Sequence, residues 1–343
     1  MQREKLYICY ATSDSFCPHT GISLMSLLVN NRNLSIEKVF ILDYGIESVN
    51  FQKLNYLAHK FGVAMEFIDA GIILESLRSE LKLQDFRNSL ATYSRAFIDY
   101  IMPSYVKRLL YIDSDTIVLS GLEAILDIEI EDYAMGCVID IERYFNKKIR
   151  DTELKLLSGN HCYYGCGVVL YNLEMWRQSQ ARDYISATCR ENIPLKFADQ
   201  TLINNALPEK FIRAIPLKFN YPGHAFNRGW EKWQLMRGGW YAEETIIEAM
   251  NNPVIIHYKG SPLNRPWYDE CLSQRKNDYL KMKELSPWRD EPLMSMKKYY
   301  DNLSNNRQKI MFKFTVADMK TPKRWMRTYL RLLRRICLAI GGC

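Results

Sequence analysis

Two carboxylates stand two positions apart at the end of an apolar run: Leu109-Leu110-Tyr111-Ile112 leads into Asp113-Ser114-Asp115-Thr116. In extended backbone that spacing puts both side chains on the same side. Like charges at a strand end are costly unless a cation or hydrogen-bond donors compensate them. In open α/β sheets the carboxyl end of a strand is also where ligands bind. A divalent metal that bridges to a phosphate is the chemistry this pair suits, and a turn in which the aspartates cap the next segment is the plainer alternative. A second group lies in Pro253–Gly260, where His257 ends an apolar strand, Lys259 and Gly260 follow, and Arg265 comes five residues later. Imidazole with two carboxylates is a mixed N/O ligand set, suited to Mn²⁺ better than to Mg²⁺, which stays possible. Gly260 would let the backbone approach a phosphate closely, and Lys259 or Arg265 would neutralise it. Read alone, His257 is better explained as a hydrogen-bonded core residue. A third group, Asp199-Gln200, opens the helix-like run Thr201–Leu207, where Asp199 would also serve as an N-cap.

These residues need a frame that brings strand ends together. Strands are expected at 5–11, 38–43, 63–70 and 108–119, with helices at 21–31, 47–61 and 92–102 between them. Such β-α alternation predicts a parallel sheet with helices on both faces. Later strands are expected at 133–140, 167–173, 211–217 and 253–258, and beyond Pro266 the pattern turns helical and polar.

Composition narrows the class. The 343 residues carry 46 Lys+Arg against 39 Asp+Glu, a net charge of +7. The whole excess lies in 320–343, which holds seven basic residues and no acidic one. The first 319 residues are electroneutral, which gives no support to a nucleic-acid-binding role. From Arg324 to Ile340, Trp325, Tyr329, Leu332, Leu333, Ile336 and Ile340 recur at helical spacing among arginines. That pattern predicts an amphipathic helix on an anionic membrane surface. The nine cysteines form no CxxC pair, and Cys162 and Cys166 lack matching partners for a zinc site. With no export signal, they are expected as reduced thiols in a cytoplasmic protein.

Several of these motifs occur together, in an order that resembles glycosyltransferase family 8. They are the Asp-Ser-Asp after its apolar strand, CYYGCGVVLYNLEMWR (162–177), FADQTLINNAL (197–207) and IIHYKGSPLNRPW (255–267), with ATSDSF (11–16) and ATYSRAF (91–97) upstream. SPWRDEPLMSMKKYY (286–300) looks like the C-terminal extension of lipopolysaccharide-core members. The resemblance implies a GT-A fold, a Rossmann-like mixed α/β sheet flanked by helices, with a helical C-terminal extension. It implies a nucleotide-sugar-binding catalytic domain at 1–265 and the extension at 266–319, while the charge pattern sets off the basic tail at 320–343. By the same resemblance Asp113, Asp115 and His257 are metal ligands, with Ser114 between the two aspartates. Arg95 and Asp140 face the donor sugar, Asp14 and Phe16 lie in the uridine-binding loop, and Gly260, Lys259 and Arg265 lie beside the phosphates. Asp199 and Gln200 stand at the reacting face. Three positions depart from the family: Ser13 precedes Asp14 where a second acidic residue is common, Gly165-Cys166-Gly167 replaces Asn-Ala-Gly, and Arg265 replaces a lysine.

The expected activity is Mn²⁺-dependent, retaining transfer of glucose or galactose from a UDP-hexose to a glycan or glycolipid acceptor, such as a lipopolysaccharide core. The expected place is the cytoplasmic face of the inner membrane, held peripherally by the tail. Two alternatives compete. Asp113–Ile117 approximates the nucleophile motif of haloacid-dehalogenase phosphatases, although three strand–helix units precede it and Ile117 departs from the pattern. A membrane-attached sugar-nucleotide binder with little turnover is the other.

Overall fold

The structure, a computed structural model, describes residues 6–85, 89–140, 162–191, 198–223, 241–303, 308–310, 312–313 and 316–317. Its centre is a seven-stranded sheet in the order β3-β2-β1-β4-β7-β6-β8. These strands are β1 Leu6–Thr12, β2 Ile36–Asp43, β3 Met65–Asp69, β4 Arg108–Ile112, β6 Met135–Ile139, β7 Tyr164–Asn172 and β8 Ile212–Ala214. The first four are parallel, as the β-α alternation predicts. β7 runs antiparallel to both β4 and β6, so the complete sheet is mixed. Central strands buried on both faces read as continuous apolar runs, and Leu109, Leu110 and Ile112 of β4 are fully buried.

The chain leaves β1 in one direction, through α1 (Cys17–Asn30), to β2, while β4 lies on the other side of β1. The order therefore reverses between β1 and β4, and a crevice opens at their carboxyl ends. Asp14 follows β1 and Asp113 follows β4, so both stand at that crevice.

Three expectations need correction. The strand expected at 108–119 is divided: β4 ends at Ile112, residues 113–115 turn, and β5 (Thr116–Val118) joins a second sheet, ordered β5-β10-β9. β9 is Tyr221–Pro222, and β10 (Ile255–His257) pairs antiparallel with β5, with His257 opposite Thr116. The first helix begins at Cys17 rather than Gly21, with Pro18 in its first turn, where a missing N–H costs nothing. The helix expected over 92–102 is instead a 3₁₀ turn, Ala91–Arg95, and a single helical turn, Ile98–Ile101. The Arg95 carbonyl accepts the Tyr171 hydroxyl at 2.8 Å, so a side chain rather than a helical amide satisfies it.

The region after β10 shares the body's core. Tyr258, Leu263, Trp267, Tyr268, Tyr279 and Met296 pack with Ile22 of α1, Ile117 of β5 and Ile256 of β10. The basic tail expected at 320–343 lies outside the described residues.

Candidate active site

Asp113 and Asp115 lie in the turn between two sheets, and His257 ends β10 beside them. Ligand atoms from all three lie within 4.8 Å of one another. The carboxylates converge because the chain changes sheet at 113–115, and not because an extended strand aligns them. Two features fix the turn. The Asp113 amide donates to the Gly167 carbonyl at 2.8 Å, and the Thr116 hydroxyl donates to the Asp113 carbonyl at 2.9 Å. Ser114 is anchored inward: its hydroxyl accepts from Thr20 at 2.7 Å and donates to the Ala11 carbonyl at 3.1 Å.

His257 is oriented by Asn220, whose Oδ1 accepts from Nδ1 at 3.0 Å. The other ring nitrogen, Nε2, lies 3.0 Å from Asp115 Oδ1 and 3.7 Å from Asp113 Oδ2. A ring nitrogen that close to a carboxylate oxygen calls for a proton or a cation between them. Gly167 makes the cluster possible: a Cβ there would stand 2.2 Å from His257 Cε1 and 3.0 Å from Asp113 Oδ2. The residues present thus fit a divalent ion with mixed N/O ligands.

Arg95 closes the other side. Its Nη1 donates to both Asp113 oxygens, at 3.0 and 2.8 Å, and to the Cys166 carbonyl at 3.1 Å. Its Nη2 donates to Asp199 Oδ1 at 3.0 Å. The two aspartates of the turn are electrostatically unequal. Burial raises the Asp113 carboxyl, with Arg95 and His257 offsetting only part of it. Burial acts on Asp115 too, but His257, its hydrogen bond and Arg265 outweigh it and hold the carboxyl well below the usual range. Asp199 is 2% exposed, and burial pushes its carboxyl up to about 7 against the pull of Arg95.

A bulge in β7 connects these groups to the rest of the site. The pairing with β6 jumps from Cys137↔Val169 to Val138↔Gly165, so residues 166–168 protrude from the ladder. The protruding backbone supplies the Gly167 and Cys166 carbonyls already described, and the Cys166 amide donates to Gln200 Oε1 at 3.3 Å. Gln200 Nε2 lies 3.5 Å from Asp140 Oδ2, which also accepts from Lys259 at 2.9 Å. Asp199 and Gln200 come from the first turn of the helix Ala198–Ala206.

The remaining expected site residues surround this cluster. Gly260 turns the chain after β10 in a left-handed conformation (φ +94°), and Arg265 lies 5.6 Å from the Trp267 ring. Asp14 binds α2 (Ser48–Phe61) and the residue before it: its Oδ1 accepts from the Glu47 amide at 2.9 Å and Asn50 Nδ2 at 2.8 Å. Phe16 is 37% exposed and meets His19 edge-on. No interaction joins Asp14 or Phe16 directly to the Asp113–Asp115–His257 cluster among the described residues; they follow β1 at the same crevice. Sequence reasoning missed Asn220 and Tyr171. Asn220 ends a 3₁₀ turn in an apolar stretch, and its polarity there is the only trace it leaves in the sequence.

A mixed sheet with a carboxylate–imidazole cluster at its strand crossover, braced by a small second sheet, defines a GT-A glycosyltransferase. The chain belongs to glycosyl transferase family 8, whose model matches residues 7–271. It is similar to general stress protein A of Bacillus subtilis, 24% identical over 83% of this chain and 95% of that protein. It is also similar to lipopolysaccharide 1,2-glucosyltransferase of Escherichia coli K12, 23% identical over 88% of this chain and 86% of that one. Among solved structures, the galactosyltransferase LgtC, in complex with donor and acceptor sugar analogs, superposes with a TM-score of 0.64 at 18% identity, over 82% of this chain and 96% of that chain. The bifunctional glycosyltransferase WbbM matches with a TM-score of 0.69 at 20% identity, over 84% of this chain, which spans about half of WbbM (51%). These structural likenesses establish the fold. Family membership sets the phosphatase reading aside.

Proposed function

We propose that this chain is a retaining, Mn²⁺-dependent hexosyltransferase that uses UDP-glucose or UDP-galactose and acts on a lipopolysaccharide-core or other lipid-linked glycan. The observation that carries the reading is the convergence of Asp113, Asp115 and His257 at the crossover crevice, with Arg95 bound to both Asp113 and Asp199. The acceptor class is supported by relatives such as the Escherichia coli lipopolysaccharide 1,2-glucosyltransferase.

Asp113, Asp115 and His257 would hold the metal, which when bound supplies stabilisation of negative charge on a departing diphosphate. Lys259 and Arg265 place further positive charge beside that leaving group. Asp14 and Phe16 receive the uridine. Arg95 and Asp140 contact sugar hydroxyls, and Arg95 keeps Asp113 and Asp199 in register with each other. Gln200 is an amide and a weak nucleophile, and its oxygen is already occupied by the Cys166 N–H. A same-face substitution, in which the leaving phosphate takes the acceptor proton, suits this site better than a covalent intermediate. A glycosyl adduct trapped on Asp199 or Gln200 would overturn that choice. The catalytic part is 1–265, the extension 266–319, and the tail 320–343 holds the enzyme on the cytoplasmic leaflet.

The test is a panel of UDP-sugars incubated with Mn²⁺ or with EDTA and scored for UDP release. Metal-dependent release from UDP-glucose or UDP-galactose is expected. Release that persists in EDTA, or release from neither donor with any glycan acceptor, would contradict the assignment.

A further inference from the structure

Trp288 lies beyond the residues matched by the family model. It is fully buried, and it packs against Gly21 of α1 so closely that a Cβ there would stand 2.0 Å from its ring. Packing alone would be served by any flat apolar ring. The indole also has one polar group, and that group is directed: Nε1–H donates to Asn50 Oδ1 at 2.8 Å. Asn50 in turn donates from Nδ2 to Asp14 Oδ1 at 2.8 Å.

The chemistry of the three groups gives this chain a direction. An indole N–H can only donate and a carboxylate can only accept, so the amide between them has one satisfactory orientation. Its oxygen must face Trp288 and its NH₂ must face Asp14. With the Glu47 amide also on Oδ1, that oxygen of Asp14 carries two bonds, while Oδ2 has none among the described residues. The carboxylate is thereby held in one rotamer with one oxygen available to a ligand. The C-terminal region is fixed to the same loop and helix at further points. The Tyr279 hydroxyl is 2.9 Å from His19 Nδ1, and Lys53 of α2 pairs with Glu291 at 2.6 Å while its ammonium lies 5.5 Å from the Trp288 ring.

We propose that Trp288 is a positioning residue for the base end of the donor site, acting through Asn50 to fix the Asp14 carboxylate for a pyrimidine that presents a ring N–H. The inference rests on the UDP-sugar reading above. Uracil carries an N–H at ring position 3, whereas cytosine has an acceptor there, so a fixed carboxylate oxygen favours the first and repels the second.

The experiment is calorimetric titration of UDP and of CDP, each with Mn²⁺, into the full chain and its Trp288→Phe variant. Trp288→Phe should lose about tenfold in UDP affinity, the worth of one directed hydrogen bond to a charged relay, with CDP affinity nearly unchanged. In turnover, KM for the UDP-sugar should rise with kcat preserved. Asn50→Ala, which removes the link between Trp288 and Asp14 without adding a charge, should give the same loss and serves as the readout if Trp288→Phe does not fold. Equal losses of UDP and CDP affinity, or a folded variant that keeps the full preference for UDP, would overturn the inference while leaving the donor assignment standing. A wild-type chain that binds UDP no tighter than CDP would overturn the uridine assignment, and this inference with it.

Discussion

At the residue scale, the site is built from side chains that fix one another: Asn220 orients His257, and Arg95 bridges Asp113 and Asp199. Two aspartates after an apolar run and a histidine ending another are visible without a structure, and all three meet in one cluster. What the sequence could not display is the partner that orients each of them. Asn220 fixes the His257 tautomer from a 3₁₀ turn, and Gly167 makes room for the ring, because a Cβ there would overlap it. Such relations depend on which turns come together in space. His19 is a further case, since it falls in a stretch that reads as loop. Its ring stacks on Trp267 at 4.2 Å, and burial holds its imidazole down at about 3. Above pH 6.5 it is neutral in both folded and unfolded chains, so the full stability is present there. As pH falls from 6.5 towards 3, the unfolded chain takes up a proton that the folded one refuses, and stability declines. Between pH 7 and pH 5 this amounts to about 2 kcal/mol for a buried histidine with that shift. Urea unfolding of wild type and His19→Gln at both pH values should show the wild type losing that increment and the variant losing much less. Parallel losses in the two proteins would disprove the role given to His19.

At the scale of elements, periodicity located the first strands but not their interruptions. The 108–119 stretch is apolar on both sides of its aspartates, so nothing in its hydropathy marks the point where the chain passes from one sheet to the other. α3 (Ala70–Leu81) was not among the expected helices, although Ile73, Leu74, Leu77 and Leu81 recur at helical spacing and pack on the core. The β7 bulge was hidden, although it delivers two carbonyls and an amide to the site. The Ala91–Arg95 turn shows how one such element is held. Tyr171 in β7 takes the Arg95 carbonyl, so the segment that carries Arg95 is pinned to the strand that carries the bulge. Tyr171→Phe should therefore lower stability by about 1–2 kcal/mol, because a buried carbonyl loses its donor. It should also reduce kcat as Arg95 loosens. Denaturant midpoints and UDP-release rates measure both, and a variant unchanged in each would show that the turn holds itself.

At the scale of the molecule, charge separates the chain into an electroneutral body and a basic end. The family model covers residues 7–271, and the region after it is joined to the body by shared core residues rather than by a linker. Among the described residues no helix is long and apolar enough to cross a membrane. Attachment through the tail makes a separable prediction, at about 1 kcal/mol per basic residue near an anionic surface. Deleting 320–343 should abolish flotation with phosphatidylglycerol-containing vesicles, yet leave UDP release intact. A truncated protein that still floats would place the membrane contact elsewhere. The central claim is that Asp113, Asp115 and His257 bind a metal that in turn holds a nucleotide diphosphate, and it can be tested without any acceptor. UDP should be titrated calorimetrically into wild type, Asp115→Asn and Gly167→Ala, each with Mn²⁺ and with EDTA. We predict that wild type loses at least about tenfold in UDP affinity when Mn²⁺ is chelated, and that both variants bind weakly and indifferently to the metal. Wild-type affinity that is the same in Mn²⁺ and in EDTA would contradict the account.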